Sequence, residues 1–76
     1  MEPTHADPRI FRGAKYRDTD FGTLYEVMVN VRTEFVLYID YAPTHWRVSD
    51  LVRMLDDPAW NIVDARNEES TFGPLT

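Results

Sequence analysis

The sequence contains no cysteine and only three glycines among its 76 residues. Without cysteine the chain can form no disulfide bond, no thiolate metal site and no cysteine nucleophile. Gly13, Gly22 and Gly73 are too widely spaced to build a glycine-rich loop that binds phosphate. No apolar run approaches the roughly 18 residues that a membrane-spanning helix requires. We therefore expect no membrane partner and no nucleotide site of the glycine-loop type.

Histidine is also scarce, since only His5 and His45 occur. No spacing of His, Asp and Glu fits a zinc site, and none indicates a catalytic triad. Residues 18–26 (DTDFGTLYE) superficially resemble a calcium loop, but Gly22 is fifth instead of sixth and Val29 stands where the bidentate Glu is required. The sequence therefore predicts a protein that is not an enzyme and has no metal, no cofactor and no small-molecule substrate.

The charges are unevenly distributed along the chain, whose net charge is −5. Residues 1–8 carry −2, residues 9–17 carry +4 and residues 18–76 carry −7. An acidic body disfavours general affinity for nucleic acid, because contacts to phosphate supply most non-specific binding. The basic residues of segment 9–17 can still contact phosphate, or they can pair with the acidic body. They are Arg9, Arg12, Lys15 and Arg17.

Seven of the eight basic residues are Arg, and Asp outnumbers Glu by eight to five. This composition resembles that of GC-rich prokaryotic genomes or of salt-adapted proteomes such as those of halophilic archaea. In such proteins acidity serves solubility and not binding. The N-terminal residues 1–11 lack the apolar stretch of a signal peptide. We therefore expect a soluble, cytoplasmic protein.

Two polar ends flank the predicted folding unit. Residues 1–8 contain two prolines and no apolar periodicity, and residues 66–76 are polar with a Gly-Pro pair. We expect a flexible N-terminus over 1–8, a single β-rich domain over 9–65 and a flexible tail over 66–76.

Strict alternation over residues 25–41 (YEVMVNVRTEFVLYIDY) predicts two β-strands, near 23–31 and 35–41. From residue 25 on, the odd-numbered residues of both strands are all apolar or aromatic, so this odd-numbered face should form the core. Residues opposite one another must share a face, which requires a connecting loop with an odd number of residues. We predict a loop over 32–34, which places Met28 opposite Tyr38, or over 30–34, which places Asn30 where a left-handed conformation is needed.

The remaining elements complete an α+β fold that is mainly antiparallel β. A first strand is expected near 13–18, a short strand near 45–48 and a closing strand near 60–65, with Trp60 and Ile62 on one face. An amphipathic helix is expected near 49–57, with Ser49 as its N-cap and an end enforced before Pro58. A three-stranded meander followed by a helix and a closing strand fits an SH3-like small barrel or an open sheet with the helix across one face.

Two short motifs carry a resemblance to known proteins. They are GAKYR at 13–17 and GTLYEV at 22–27, and HWRVSDLVRML follows at 45–55. Together they resemble short prokaryotic domains of unknown function that open with a G-x-x-Y-R … G-x-x-Y-E-V pattern. The resemblance covers about half of the chain. It implies a small β domain and no catalytic residues.

Three apolar side chains occur on the even-numbered face, which should be wet. Met28, Val36 and Tyr38 are either buried by the helix or the closing strand, or form an exposed patch. Exposed, and joined by residues of the following loop, they have the composition of a protein interface. The predicted partner-binding set is Met28, Val36, Tyr38, Tyr41, Trp46 and Arg47.

The leading hypothesis is therefore a small interaction module that binds a protein partner or a second copy of itself. One alternative is a nucleic-acid-associated accessory domain that uses the basic segment 9–17. Another is an acidic inhibitor that imitates nucleic acid, which the eleven acids of residues 18–76 permit.

Overall fold

The computed structural model describes residues 3–67, which form one antiparallel sheet and one helix. The elements are β1 (Lys15–Asp18), β2 (Leu24–Val29), β3 (Phe35–Ile39), β4 (Ala42–Pro43), α1 (Val48–Asp56) and β5 (Ile62–Asp64). The strands are ordered β4-β3-β2-β1-β5. The sheet is open, with β4 and β5 at its two edges, so the open-sheet alternative is the observed architecture.

The register of β2 and β3 follows the predicted parity. Val29 lies opposite Phe35 and Tyr25 opposite Ile39, so the connection is the five-residue loop 30–34. Met28 consequently lies opposite Val36, and the pairing with Tyr38 that a three-residue loop would give is wrong. Either loop keeps the odd-numbered side chains of both strands on one face.

Asn30 closes this loop through its side chain. Its Oδ1 accepts hydrogen bonds from the backbone N–H groups of Arg32 (2.9 Å) and Glu34 (3.0 Å). The left-handed residue is Thr33 (φ 59°), so the prediction that Asn30 occupies this conformation is wrong. Asn is used here for its side-chain acceptor, which organises a turn in the way that Asx turns do.

Helix α1 runs over Val48–Asp56, close to the predicted range. The residue that precedes the first helical position is Arg47 and not Ser49, and the Asp50 carboxylate accepts the Arg47 backbone N–H at 2.9 Å. This acidic side chain in the first turn satisfies the backbone donor of the residue before the helix and lies at the positive end of the helix dipole. The last helical residue is Asp56, and Asp57, which is extended, follows it immediately before Pro58, so the helix ends where the sequence predicts.

The helix packs on the odd-numbered face of the sheet. Buried Leu51 and Met54 join Val27 and Leu37 in one apolar cluster, and all four are at most 6% exposed. The interpretation that the helix or the closing strand buries Met28, Val36 and Tyr38 is therefore wrong. The apolar stripe of the helix, formed by Leu51, Met54 and Leu55, packs on the odd-numbered face because the apolar core cluster lies there.

The segment before β1 lies against the same face. Ile10 is buried in the core, and the Tyr16 hydroxyl donates a hydrogen bond of 2.6 Å to the Arg9 carbonyl. The His5 ring meets the edge of the Phe35 ring at a centroid distance of 6.2 Å. Flexibility of residues 1–8 stays a prediction. Residues 1–2, and 68–76 of the predicted tail, lie outside the described residues.

The short fourth strand lies at Ala42–Pro43, so its predicted position at 45–48 is wrong. Asp40 and Tyr41 both have positive φ and return the chain directly alongside β3 in a two-residue turn. The last strand is shorter than predicted and pairs with β1, with Ile62 opposite Asp18. Trp60 precedes it and is not part of the strand.

The two faces of the sheet can be distinguished by one pair of identical substitutions. Val27→Ala should lower the free energy of unfolding by about 2 to 3 kcal/mol, because Val27 is completely buried under the helix. Val36→Ala, on the neighbouring strand and the other face, should cost less than about 1 kcal/mol. Urea denaturation measures both values, and equal losses would contradict the one-sided core.

Candidate interaction surface

The sheet face opposite the helix is called here the helix-free face. Its side chains are those of Lys15, Arg17, Leu24, Glu26, Met28, Val36, Tyr38, Pro43 and Val63. Met28 and Val36 lie directly opposite each other on β2 and β3, and Tyr38 follows on β3 opposite Glu26 and Pro43. Within residues 3–67, both the helix and the segment before β1 pack on the other face. The structure thus brings Met28, Val36 and Tyr38 together, each half-buried.

Two buried residues of opposite charge, on neighbouring strands, divide the helix-free face. Lys15 lies opposite Glu26, and these residues are 5% and 2% exposed. Buried charges are normally paired, and opposite charges directly across an antiparallel ladder stabilise it. The burial of these two residues was not predictable from the sequence, because it depends on the β1–β2 register. The apolar part of the face is therefore the half that lies on β2 and β3.

Tyr41 lies beside this half, in the turn between β3 and β4. Asp40 (φ 49°) and Tyr41 (φ 69°) form a two-residue hairpin turn in which both residues are left-handed, a conformation that usually selects Asn and Gly. Asp40 anchors the turn to β2, since its backbone N–H donates to the Leu24 carbonyl at 2.8 Å and its Oδ1 accepts the Leu24 N–H at 2.9 Å. The Tyr41 side chain is half-exposed.

Trp46 and Arg47 lie beyond the other end of β4. Thr44 holds this connection to the sheet, because its hydroxyl donates to the Leu37 carbonyl at 2.9 Å. Trp46 is 45% exposed and lines a shallow depression with His45 and Asp50 at the start of the helix. Tyr41, Trp46 and Arg47 therefore border the β4 edge and do not lie on the helix-free face itself.

The basic segment 9–17 is dispersed by the fold. Arg9 forms ion pairs with Asp7 at 2.6 Å and Asp56 at 2.7 Å, and the Arg17 guanidinium donates to the Gly22 carbonyl at 2.5 Å. Lys15 is buried and Arg12 is exposed. No continuous basic surface results from these four residues. The ion pair of Arg9 with Asp56 is of the kind expected if the basic segment pairs with the acidic body.

Besides Tyr41 and Trp46, three aromatic side chains are exposed that the sequence did not mark as surface residues, namely Phe11, Phe21 and Trp60. Phe21, in the β1–β2 turn, is 82% exposed, and Trp60, just before β5, is 36% exposed. Phe21 stands outside the alternating segments, where the face of a residue cannot be read from periodicity, whereas Trp60 was predicted to lie in the closing strand and instead precedes it. The available signal was a large aromatic between turn residues, as in the segment Asp20-Phe21-Gly22.

Within residues 3–67 no group of three or more His, Asp or Glu side chains is placed to hold a metal ion. Over the same residues, the helix is too short and too polar to cross a bilayer. Comparisons with models of known protein families, with curated proteins and with solved structures find no match. The resemblance to short prokaryotic domains of unknown function stays a prediction.

The left-handed backbone of Tyr41 predicts a stabilising substitution. Tyr41→Gly should raise the free energy of unfolding by about 0.5 to 1 kcal/mol, since an L-residue in this conformation is disfavoured and Gly is not. Thermal denaturation measures the change. Trp46→Gly is the matched control, because it removes an exposed aromatic from ordinary backbone and should bring no gain. A loss of stability in Tyr41→Gly would contradict the assigned turn.

The Asp7–Arg9 contact predicts a loss of stability in acid. The side-chain hydrogen bond from Arg9, with a backbone hydrogen bond from the same residue, lowers the pKa of Asp7 from 3.8 to about 2. The contribution of Asp7 is therefore complete above its unfolded-state pKa and disappears as the pH falls toward 2. The stability difference between the wild type and Asp7→Asn should shrink over this range in denaturation curves. A carboxyl NMR titration that places the pKa of Asp7 at its ordinary value would contradict the contact.

Proposed function

We propose that the chain is a non-enzymatic interaction module that binds a protein partner. The binding surface is the apolar half of the helix-free face, bordered by the β4 edge. One observation carries the proposal: the helix occupies the opposite face, so Met28, Val36 and Tyr38 share a face on which no described helix packs. In a domain this small, placing three large apolar side chains away from the core is costly unless they are used.

The chemistry of the surface supports this assignment. Tyr, Trp, Met and Arg are the residues enriched at protein interfaces, and Tyr38, Trp46, Met28 and Arg47 provide one of each. Tyr41 adds an aromatic side chain at a backbone position that disfavours any residue with a side chain. A tyrosine retained there against local stability is typical of a residue selected for contact with a partner.

The dimensions of the sheet require the border residues as well. Five strands with a longest strand of six residues form a face of roughly 19 by 20 Å. Its projected area of about 400 Å² is half of the roughly 800 Å² that one partner usually contributes to a stable interface. The partner must therefore extend over the β4 edge, where Tyr41, Trp46 and Arg47 lie.

The sheet edges favour binding by the face over addition of a strand. β4 has two residues and includes Pro43, which has no N–H to donate, and β5 has three residues. A strand from a partner needs a longer row of free backbone groups. The interface therefore depends on side chains, and substitutions in the face should disrupt it.

Val36→Glu tests the proposal. The half-buried position tolerates a charge without unfolding the domain, but a charge opposite Met28 disrupts an apolar interface. The wild-type protein is used to capture partners from the source cells, and mass spectrometry identifies them. Each partner is then purified, and its binding to the wild type and to Val36→Glu is measured. We expect their affinity for Val36→Glu to fall at least tenfold, a loss of about 1.4 kcal/mol.

Val31→Glu is the control, because Val31 is fully exposed in the loop 30–34 and should tolerate the same charge without effect. Circular dichroism verifies that both variants fold. A partner that binds Val36→Glu as tightly as the wild type contradicts the proposed surface. Sedimentation velocity over a concentration range identifies the case in which the partner is a second copy of the chain.

A further inference from the structure

One end of the sheet combines exposed aromatic side chains with carboxylates. The β1–β2 turn and the β3–β4 turn lie at the same end, because β1, β2, β3 and β4 are successive antiparallel neighbours. The connection to β5 reaches this end as well, since Ile62 pairs with Asp18 and the Asn61 carbonyl accepts the Thr19 N–H at 2.9 Å. We call this surface the turn end; it comprises residues 18–23, 40–41 and 57–61.

Each of these three segments presents an aromatic side chain. Phe21, Tyr41 and Trp60 are 82%, 51% and 36% exposed. The turns are centred about 10 Å apart, which is two strand spacings. None of the three side chains belongs to the apolar core. The turn end is thus a surface where aromatic rings are held on short, hydrogen-bonded turns.

The segments of the turn end are acidic in sequence, although the Arg17 guanidinium reaches the Gly22 carbonyl. The three segments contain Asp18, Asp20, Asp40 and Asp57, and no Lys or Arg. The cations nearest along the chain are Arg17, which donates to the Gly22 carbonyl, and Arg53 in the last turn of the helix. The segments at the opposite end of the sheet (11–14, 30–34, 43–47 and 65–67) contain four Arg and one Glu. The charge of the domain is therefore polarised along the strands.

The carboxylates of the turn end are held by neutral donors. Asp20 accepts the Asn61 side-chain amide at 3.0 Å, Asp40 accepts the Leu24 N–H at 2.9 Å, and Asp18 accepts the Asp20 N–H at 2.8 Å. Among residues 3–67, none of these three Asp residues forms an ion pair with a basic side chain. Asp18 is buried (1% exposed), so the exposed acceptors of this set are Asp20 and Asp40. Both are fixed in position, and among residues 3–67 neither is ion-paired.

We propose that the turn end binds a segment of a partner protein that carries arginine or lysine. A guanidinium or ammonium group over Phe21, Tyr41 or Trp60 gains cation–π attraction, and the adjacent Asp carboxylates accept its hydrogen bonds. A metal ion does not fit, because the carboxylates are not grouped closely enough to hold one. This surface shares Tyr41 with the β4 edge, but Phe21, Trp60 and Asp20 lie outside the helix-free face, so substitutions at these three residues test the turn end separately.

The test is an ¹⁵N-HSQC titration of the full chain with a short peptide that alternates arginine and glycine. The matched probe contains citrulline, a neutral analogue of arginine, at the same positions. We expect saturable shifts at residues 19–22, 40–41 and 57–61 with the arginine peptide alone, weakened by added salt. Phe21→Ala and Asp20→Asn should each lower the affinity about two- to fivefold.

The opposite end of the sheet supplies matched controls. Val31→Ala also removes an exposed apolar side chain, and Glu34→Gln also neutralises an exposed carboxylate that accepts an Asn amide. Neither should change the affinity. The proposal would be overturned if the citrulline peptide bound as tightly as the arginine peptide, or if the shifts lay outside the turn end. It would also be overturned if the control variants lost as much affinity as Phe21→Ala and Asp20→Asn. Concentration-dependent shifts at both ends without peptide would also overturn it, since the occupant would then be a second copy.

Discussion

The pairing of Val29 with Phe35 determines the rest of the structure. A slip of one residue between β2 and β3 would move every apolar side chain of one strand to the other face. The five-residue loop closed by Asn30 prevents that slip and keeps Val27 and Leu37 on one face. The helix packs there, and Met28, Val36 and Tyr38 are left on the other face. The proposed interface is thus a consequence of the same register that builds the core.

The short length of the chain explains the asymmetry of the two faces. A helix of nine residues is about 14 Å long and can cover part of only one side of a five-stranded sheet. On the other side, the buried side chains are those of Leu24 and of the charged residues Lys15 and Glu26. Polar and apolar residues therefore share the helix-free face, and its interaction surface is confined to β2, β3 and the β4 edge.

Elements with a strong repeating pattern were predictable from the sequence, whereas turns were not. The alternation over residues 25–41 predicted β2, β3 and the parity of their loop, and Pro58 predicted the end of α1. The left-handed Thr33, Asp40 and Tyr41 were missed because they carry none of the usual Gly or Asn-Gly signals. The position of β4 and the separation of Tyr41 from Trp46 depend on that turn. The exposure of Phe21 was not predictable because exposure in a turn depends on tertiary structure, and Trp60 was placed in the closing strand, which begins only at Ile62.

The most direct test of this account is a set of side-chain NOEs from the helix to the sheet. The structure places Leu51 and Met54 in one cluster with Val27 and Leu37. With selectively methyl-labelled protein, we expect strong NOEs from the Leu51 and Met54 methyl groups to those of Val27 and Leu37. No such NOEs should reach Met28 or Val36. NOEs from the helix to Met28 and Val36 would place it on the other face and contradict both the fold and the proposed interface.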